Sequence, residues 1–223
     1  MILILPILSV WIGYFLALFL KPKSERGIKL LLAFSGGFLL AFTFFELLPE
    51  VYENSNPRGI AIFILLGILI QIFLEFFSKG AEHGHIHLSS QKVSFPTVMF
   101  LSLSIHAIIE GIPIREGSSI VYAIIVHKLP VAILLSLFIL NSKMKRSTGL
   151  LFIGAFSLMT PLGSYIAQYT DWIDAFGTQL VGIAIGVFFH ISTIILFESS
   201  QEHAFNLRKL VLIALGMGLA YFL

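Results

Sequence analysis

Apolar runs close to twenty residues long follow one another along almost the whole chain, separated by short stretches where charge, proline or glycine gathers. About 20 apolar residues is the length a helix needs to cross the hydrocarbon core of a bilayer. Cutting at the polar clusters gives eight spans: Ile2 to Leu20, Ile28 to Leu48, Ile60 to Phe77, Phe95 to Pro113, Ile120 to Leu140, Thr148 to Gln168, Phe176 to Phe197 and Leu207 to Leu223. The pattern predicts an all-α polytopic membrane protein, a single transmembrane domain over residues 1–223, with a polar loop at 79–94 between the third and fourth spans. The first run has no basic start and no small-residue cleavage site, so it reads as a true span and not as a signal peptide.

Composition agrees with the pattern. Hydrophobic residues make up 57% of the chain, charged residues 12%, and the mean hydropathy is +0.97, more than the core of a soluble domain of this length requires. The basic residues set an orientation. Loops after the odd-numbered spans hold eleven of the 14 Lys and Arg, whereas loops after the even-numbered spans hold only Arg58 and Arg115. The positive-inside rule then predicts odd loops in the cytoplasm and both termini extracellular or periplasmic, in a plasma or inner membrane. The net charge of +2 comes from these loop residues and gives no reason to expect a nucleic-acid partner. With no cysteine, any metal must be held by imidazole and oxygen.

Polar groups inside the spans are the candidate chemistry, because an ionisable side chain in hydrocarbon is costly and usually marks an ion pathway. His106 and Glu110 stand four residues apart, hence on one helix face, about halfway along the fourth span. His127 reaches a similar depth in the fifth span and completes a possible three-ligand divalent-metal site. Lys128, beside it, is the one basic residue deep inside a span and away from its ends. Pro113, Pro130 and Pro161 lie close by; a helical proline frees a carbonyl one turn earlier, which a membrane tolerates where something else satisfies it. No phosphate-cradling GxxxxGK[ST] motif occurs, so transport would draw on an ion gradient, the membrane potential or trapping of the metal.

Further polar residues mark an entrance and an exit. Glu46 and Glu50 end the second span, with Glu53, Glu116, Asp171 and Asp174 in the outer loops. His190 lies in the seventh span, followed by Glu198, Glu202 and His203, and His83, His85 and His87 alternate in the 79–94 loop, where they could bind a metal transiently. Gly36-Gly37-Phe38 in the second span and Gly186-Val187-Phe188 in the seventh hint at an inverted repeat of spans 1–3 and 6–8 around the central pair 4–5.

Glu46-Leu-Leu-Pro-Glu50, His106-Ala-Ile-Ile-Glu110-Gly, His127-Lys-Leu-Pro130 and Met159-Thr-Pro-Leu-Gly163, in this order over eight spans, resemble the ZIP family of zinc and iron transporters. The resemblance implies His106, Glu110 and His127 as transport-site ligands, zinc as the cargo with iron, manganese, cobalt and cadmium as competitors, and no cofactor. It also implies inward movement by elevator-type alternating access on spans 1, 4, 5 and 6, and a homodimer. Where fuller, two-metal members have additional ligands, this chain has Ala107, Lys128, Val131 and Thr160, which points to a single ion. Lys128 is expected to supply the positive charge that a second metal would bring. An intramembrane zinc-dependent hydrolase is the alternative, since three ligands leave a position open for water; the chain carries no HExxH. A metal-sensing receptor would need a signalling domain, for which the sequence gives no sign.

Overall fold

The computed structural model describes residues 2–20, 25–53, 55–78, 97–115, 119–142, 144–170, 176–198 and 207–223. Every regular element among them is helical: α1 (Ile4–Leu20), α2 (Glu25–Phe42), α3 (Leu48–Glu53), α4 (Pro57–Ser78), α5 (Thr97–Gly111), α6 (Ile120–Asn141), α7 (Arg146–Tyr169), α8 (Gly177–Glu198) and α9 (Leu207–Tyr221). A single π-helical turn, Thr43–Leu47, joins α2 to α3, so these two form one long span. The nine segments therefore supply the eight spans read from the sequence. Five spans are long and apolar enough to cross a membrane unaided, and α1 and α5 are shorter apolar helices.

The outward faces are apolar, as a lipid-facing surface requires. On α4, Ile62, Leu65, Leu69, Phe73 and Phe76 are all exposed, while Ile60, Ile64, Gly67, Gln71 and Leu74 turn inward. With lipid tails as apolar as leucine, no hydrophobic drive brings such helices together, and close packing of small residues takes its place. The chain uses it in four parallel helix pairs: α1 with α6, α5 with α7, α2 with α9, and α4 with α8.

In three of the pairs glycines from both helices press against the partner's backbone. A methyl group at Gly37 or Gly216 would collide with the Ile213 or Phe34 carbonyl across α2/α9, and one at Gly67 or Gly186 with the Ile183 or Ile64 carbonyl across α4/α8. Across α5/α7 a methyl at Gly111 would fall 2.1 Å from the Thr160 oxygen, and one at Gly163 would fall 1.9 Å from the Ile108 oxygen. In α1/α6, Gly13 meets Ala132.

This pairing has the exchange pattern of an inverted repeat. Swapping the first span for the sixth, the second for the seventh, the third for the eighth and the fourth for the fifth converts α1/α6 into α7/α5, and α2/α9 into α8/α4. Thr43 and Thr193, at matching places after Gly36 and Gly186, each donate a hydrogen bond to the carbonyl four residues back, on Leu39 and Phe189.

The prolines do not all behave as the sequence reading expected. Pro130 and Pro161 lie inside α6 and α7, but α5 stops at Gly111 and Pro113 sits in the turn beyond it. Lacking an N–H, Pro113 cannot extend the helix. The chain turns through hydrogen bonds from Ile112 N to Ile109 O and from Ile114 N to Gly111 O. The Ile114 carbonyl is then taken by two donors of α7, Ser164 Oγ at 3.1 Å and Gln168 Nε2 at 3.0 Å. This fastens the end of α5 to α7.

Candidate metal site

α5 and α6 each pack their backbone closely against another helix, α7 and α1 respectively, and face one another through polar side chains. His106 is 3% exposed, Glu110 1%, His127 2% and Lys128 2%. Groups so deeply buried must answer one another. The imidazoles of His106 and His127 meet edge to face, with centroids 6.3 Å apart. Lys128 Nζ donates to Glu110 Oε2 at 2.5 Å and lies 5.1 Å from the centre of the Phe156 ring of α7. Thr160 Oγ1, also on α7, makes a longer contact of 3.4 Å with the same Oε2. The other carboxylate oxygen, Oε1, is buried and has no hydrogen-bond partner among the described residues.

The sequence-predicted ligands are thus all buried, the two imidazoles against one another and Glu110 against Lys128. Among the described residues, no three His, Asp or Glu side chains stand close enough together to enclose a metal ion. Two features account for that. Glu110 turns one oxygen toward Lys128, and the imidazoles stand slightly too far apart. One tetrahedral zinc, at about 2.0–2.1 Å from each nitrogen, would draw two ring centroids to about 5 Å. Closing by about 1 Å, which side-chain torsions can supply, would let both rings grip one ion.

Two hydroxyls support the helices that bear these groups. Ser9 of α1 donates to the Ile125 carbonyl of α6 at 3.0 Å, two residues before His127. Ser136 donates to the Ala132 carbonyl at 2.6 Å, in the part of α6 beyond Pro130.

A second polar pair lies about one helical turn away, toward the end of the bundle where α4 finishes. His190 Nε2 and Glu75 Oε2 are 2.5 Å apart, joining α8 to α4 in a partly exposed position. Ser102 Oγ donates to the Leu74 carbonyl at 2.5 Å, which sets Glu75 level with the first turns of α5, four residues short of His106. Glu75 was missed in reading the sequence, although it is the one carboxylate inside the apolar run of the third span.

The remaining candidates among the described residues are not part of this centre. Glu46 lies on the π-turn and Glu50 on α3, both exposed, with the neighbouring Phe44 packed on Phe189. Glu198 is the last residue of α8. His83, His85, His87, Glu202 and His203, with Glu116, Asp171 and Asp174, lie outside the described residues.

Comparison with known proteins bears on the part of the chain that holds the centre. The family described as "ZIP Zinc transporter" matches residues 78–223, which include α5 to α9. "Protein zntD" of Dictyostelium discoideum is 28% identical over 162 residues, covering 62% of this chain and 24% of that protein. "Zinc transporter ZIP1" of Danio rerio is 31% identical over 124 residues, covering 51% of this chain and 41% of its own length. The chain thus spans less than half the length of either relative.

Proposed function

Because the chain belongs to the ZIP family of zinc transporters, we propose that it carries zinc across its membrane, one ion at a time, held between His106, Glu110 and His127. The observation that carries this reading is the buried edge-to-face meeting of the His106 and His127 imidazoles, one helical turn from Glu110, whose Oε1 has no hydrogen-bond partner among the described residues. Imidazole with carboxylate suits zinc, and admits iron, manganese, cobalt and cadmium as competitors. The family is one of transporters and not of enzymes, so the hydrolase alternative is set aside.

The route runs from an outer face bearing Glu46 and Glu50, through the central site, to the His190 and Glu75 pair and on toward the C-terminal end of α8. Acidic groups at the mouth raise the local cation concentration. The excess of lysine and arginine in the segments after the odd-numbered spans supports a cytoplasmic position for those segments and external termini. The division into close-packed pairs supports alternating access in which α1, α5, α6 and α7 shift against α2, α3, α4, α8 and α9.

Radiolabelled zinc uptake into liposomes holding the pure protein tests the reading. His106→Ala, Glu110→Ala and His127→Ala should each reduce uptake to the level of empty liposomes. Uptake at the wild-type rate by any one of them would remove that residue from the site.

A further inference from the structure

The two oxygens of Glu110 are in unlike positions. Oε2 receives the Lys128 ammonium and faces the Thr160 hydroxyl, whereas Oε1 is buried without a partner. The ammonium is itself held on a second side by the ring of Phe156, which is 1% exposed and packed in the cluster around Leu103, Ala107 and Leu135. A cation over an aromatic face is attracted by the ring quadrupole, more so when water is excluded. The ammonium therefore has two partners, one of which is a metal ligand and the other not.

We infer that Lys128 is a tethered cation that reserves one oxygen of Glu110, leaves a single oxygen for the transported metal, and competes with that metal for the carboxyl charge, with Phe156 as the surface that steadies the ammonium when the metal is bound. This rests on the reading of His106, Glu110 and His127 as the transport site, and adds to it a residue that sets affinity and release. The charge count gives the direction. The carboxylate and the ammonium cancel, so a bound divalent ion leaves two positive charges in excess within an enclosed site, against one if residue 128 were neutral. Repulsion across such a short, poorly screened distance weakens binding and favours departure. The lysine thus keeps the site from becoming a trap: affinity is lowered and turnover is raised. With Oε2 occupied, Glu110 also cannot bridge to a second ion.

Zinc uptake kinetics of the purified full chain in liposomes separate this from a structural role, because KM and maximal rate must move together in a stated sense. Lys128→Met should lower KM on the order of tenfold or more and lower the maximal rate as well, while Lys128→Arg, which keeps the charge, should bring KM back toward wild type. Phe156→Leu should raise KM about threefold to tenfold, because the ammonium then leans harder on Glu110, and Phe156→Tyr should not. Unchanged kinetics in Lys128→Met, or a raised KM, would overturn the inference. Should Lys128→Met fail to fold, equal KM values for Phe156→Leu and Phe156→Tyr would overturn it in its place.

A parallel His106→Ala measurement keeps the two readings apart. Loss of uptake there, with Lys128→Met unaltered, sinks the role of the lysine alone. Intact uptake in His106→Ala sinks the transport site, and a lowered KM in Lys128→Met would then still uphold the competition at Glu110.

Discussion

Gly163 is where a single added methyl group should disturb the centre most cleanly. A Cβ there would stand 1.9 Å from the Ile108 carbonyl oxygen and 2.8 Å from its carbon, and both atoms are backbone, so no side chain can swing aside. Restoring ordinary contact requires α5 and α7 to separate by about 1.3 Å, taking about 3.2 Å as the closest carbon–oxygen approach. That opening stretches the Thr160 contact to Glu110 beyond its present 3.4 Å and loosens the bonds of Ser164 and Gln168 to the Ile114 carbonyl. Overpacking of this kind costs about 1–3 kcal/mol, against which alanine's better helix propensity returns at most about 1 kcal/mol. Gly163→Ala should therefore melt at lower temperature in detergent and take up zinc with a raised KM. Gly218→Ala is the control, since a methyl there meets nothing within 4 Å, and it should be neutral or slightly stabilising. If Gly163→Ala melted and transported like the wild type, the close approach of α5 and α7 as described would be wrong.

Other outcomes follow from the same geometry. Glu110→Gln leaves a buried ammonium without its counter-ion, a loss of about 3–5 kcal/mol, and the double variant Glu110→Gln with Lys128→Met should be more stable than Glu110→Gln alone; strictly additive thermal shifts would contradict the 2.5 Å pair. Imidazole ligates only when neutral, so uptake should decline as the medium is acidified; a flat profile from about pH 5.5 to 7.5 would argue against direct histidine ligation. Glu75→Gln, which removes the charge facing His190, should slow zinc uptake while leaving the melting temperature within a few degrees of wild type; an unchanged rate would take the pair off the route.

Much of the architecture was legible because a bilayer leaves so few options. Apolar run lengths gave the spans, and His106, Glu110, His127 and Lys128 stood out as polar groups where hydrocarbon makes them expensive. The interruption at Thr43–Leu47 was invisible, since a π-turn leaves no trace in an apolar pattern that continues through Phe44 and Phe45. Pro113 was misplaced within the fourth span because proline marks both kinks and helix ends, and only the Ser164 and Gln168 donors show which it is. Glu75 escaped because it lies one turn from the end of its run and looked like a boundary residue. Its partner is 115 positions away, a separation no local pattern encodes. The glycines were readable as small residues, but which helices they join is a matter of tertiary contact.

The fastening of α5 to α7 reaches beyond local stability. With Ile114 gripped twice and Gly111 and Gly163 seated on opposing carbonyls, α5 cannot tilt or slide without α7. Phe156 and Thr160 therefore travel wherever His106 and Glu110 go. On the proposed reading, an ion held at Glu110 would keep this one wall, the α7 side of its surroundings, beside it through any shift of α5.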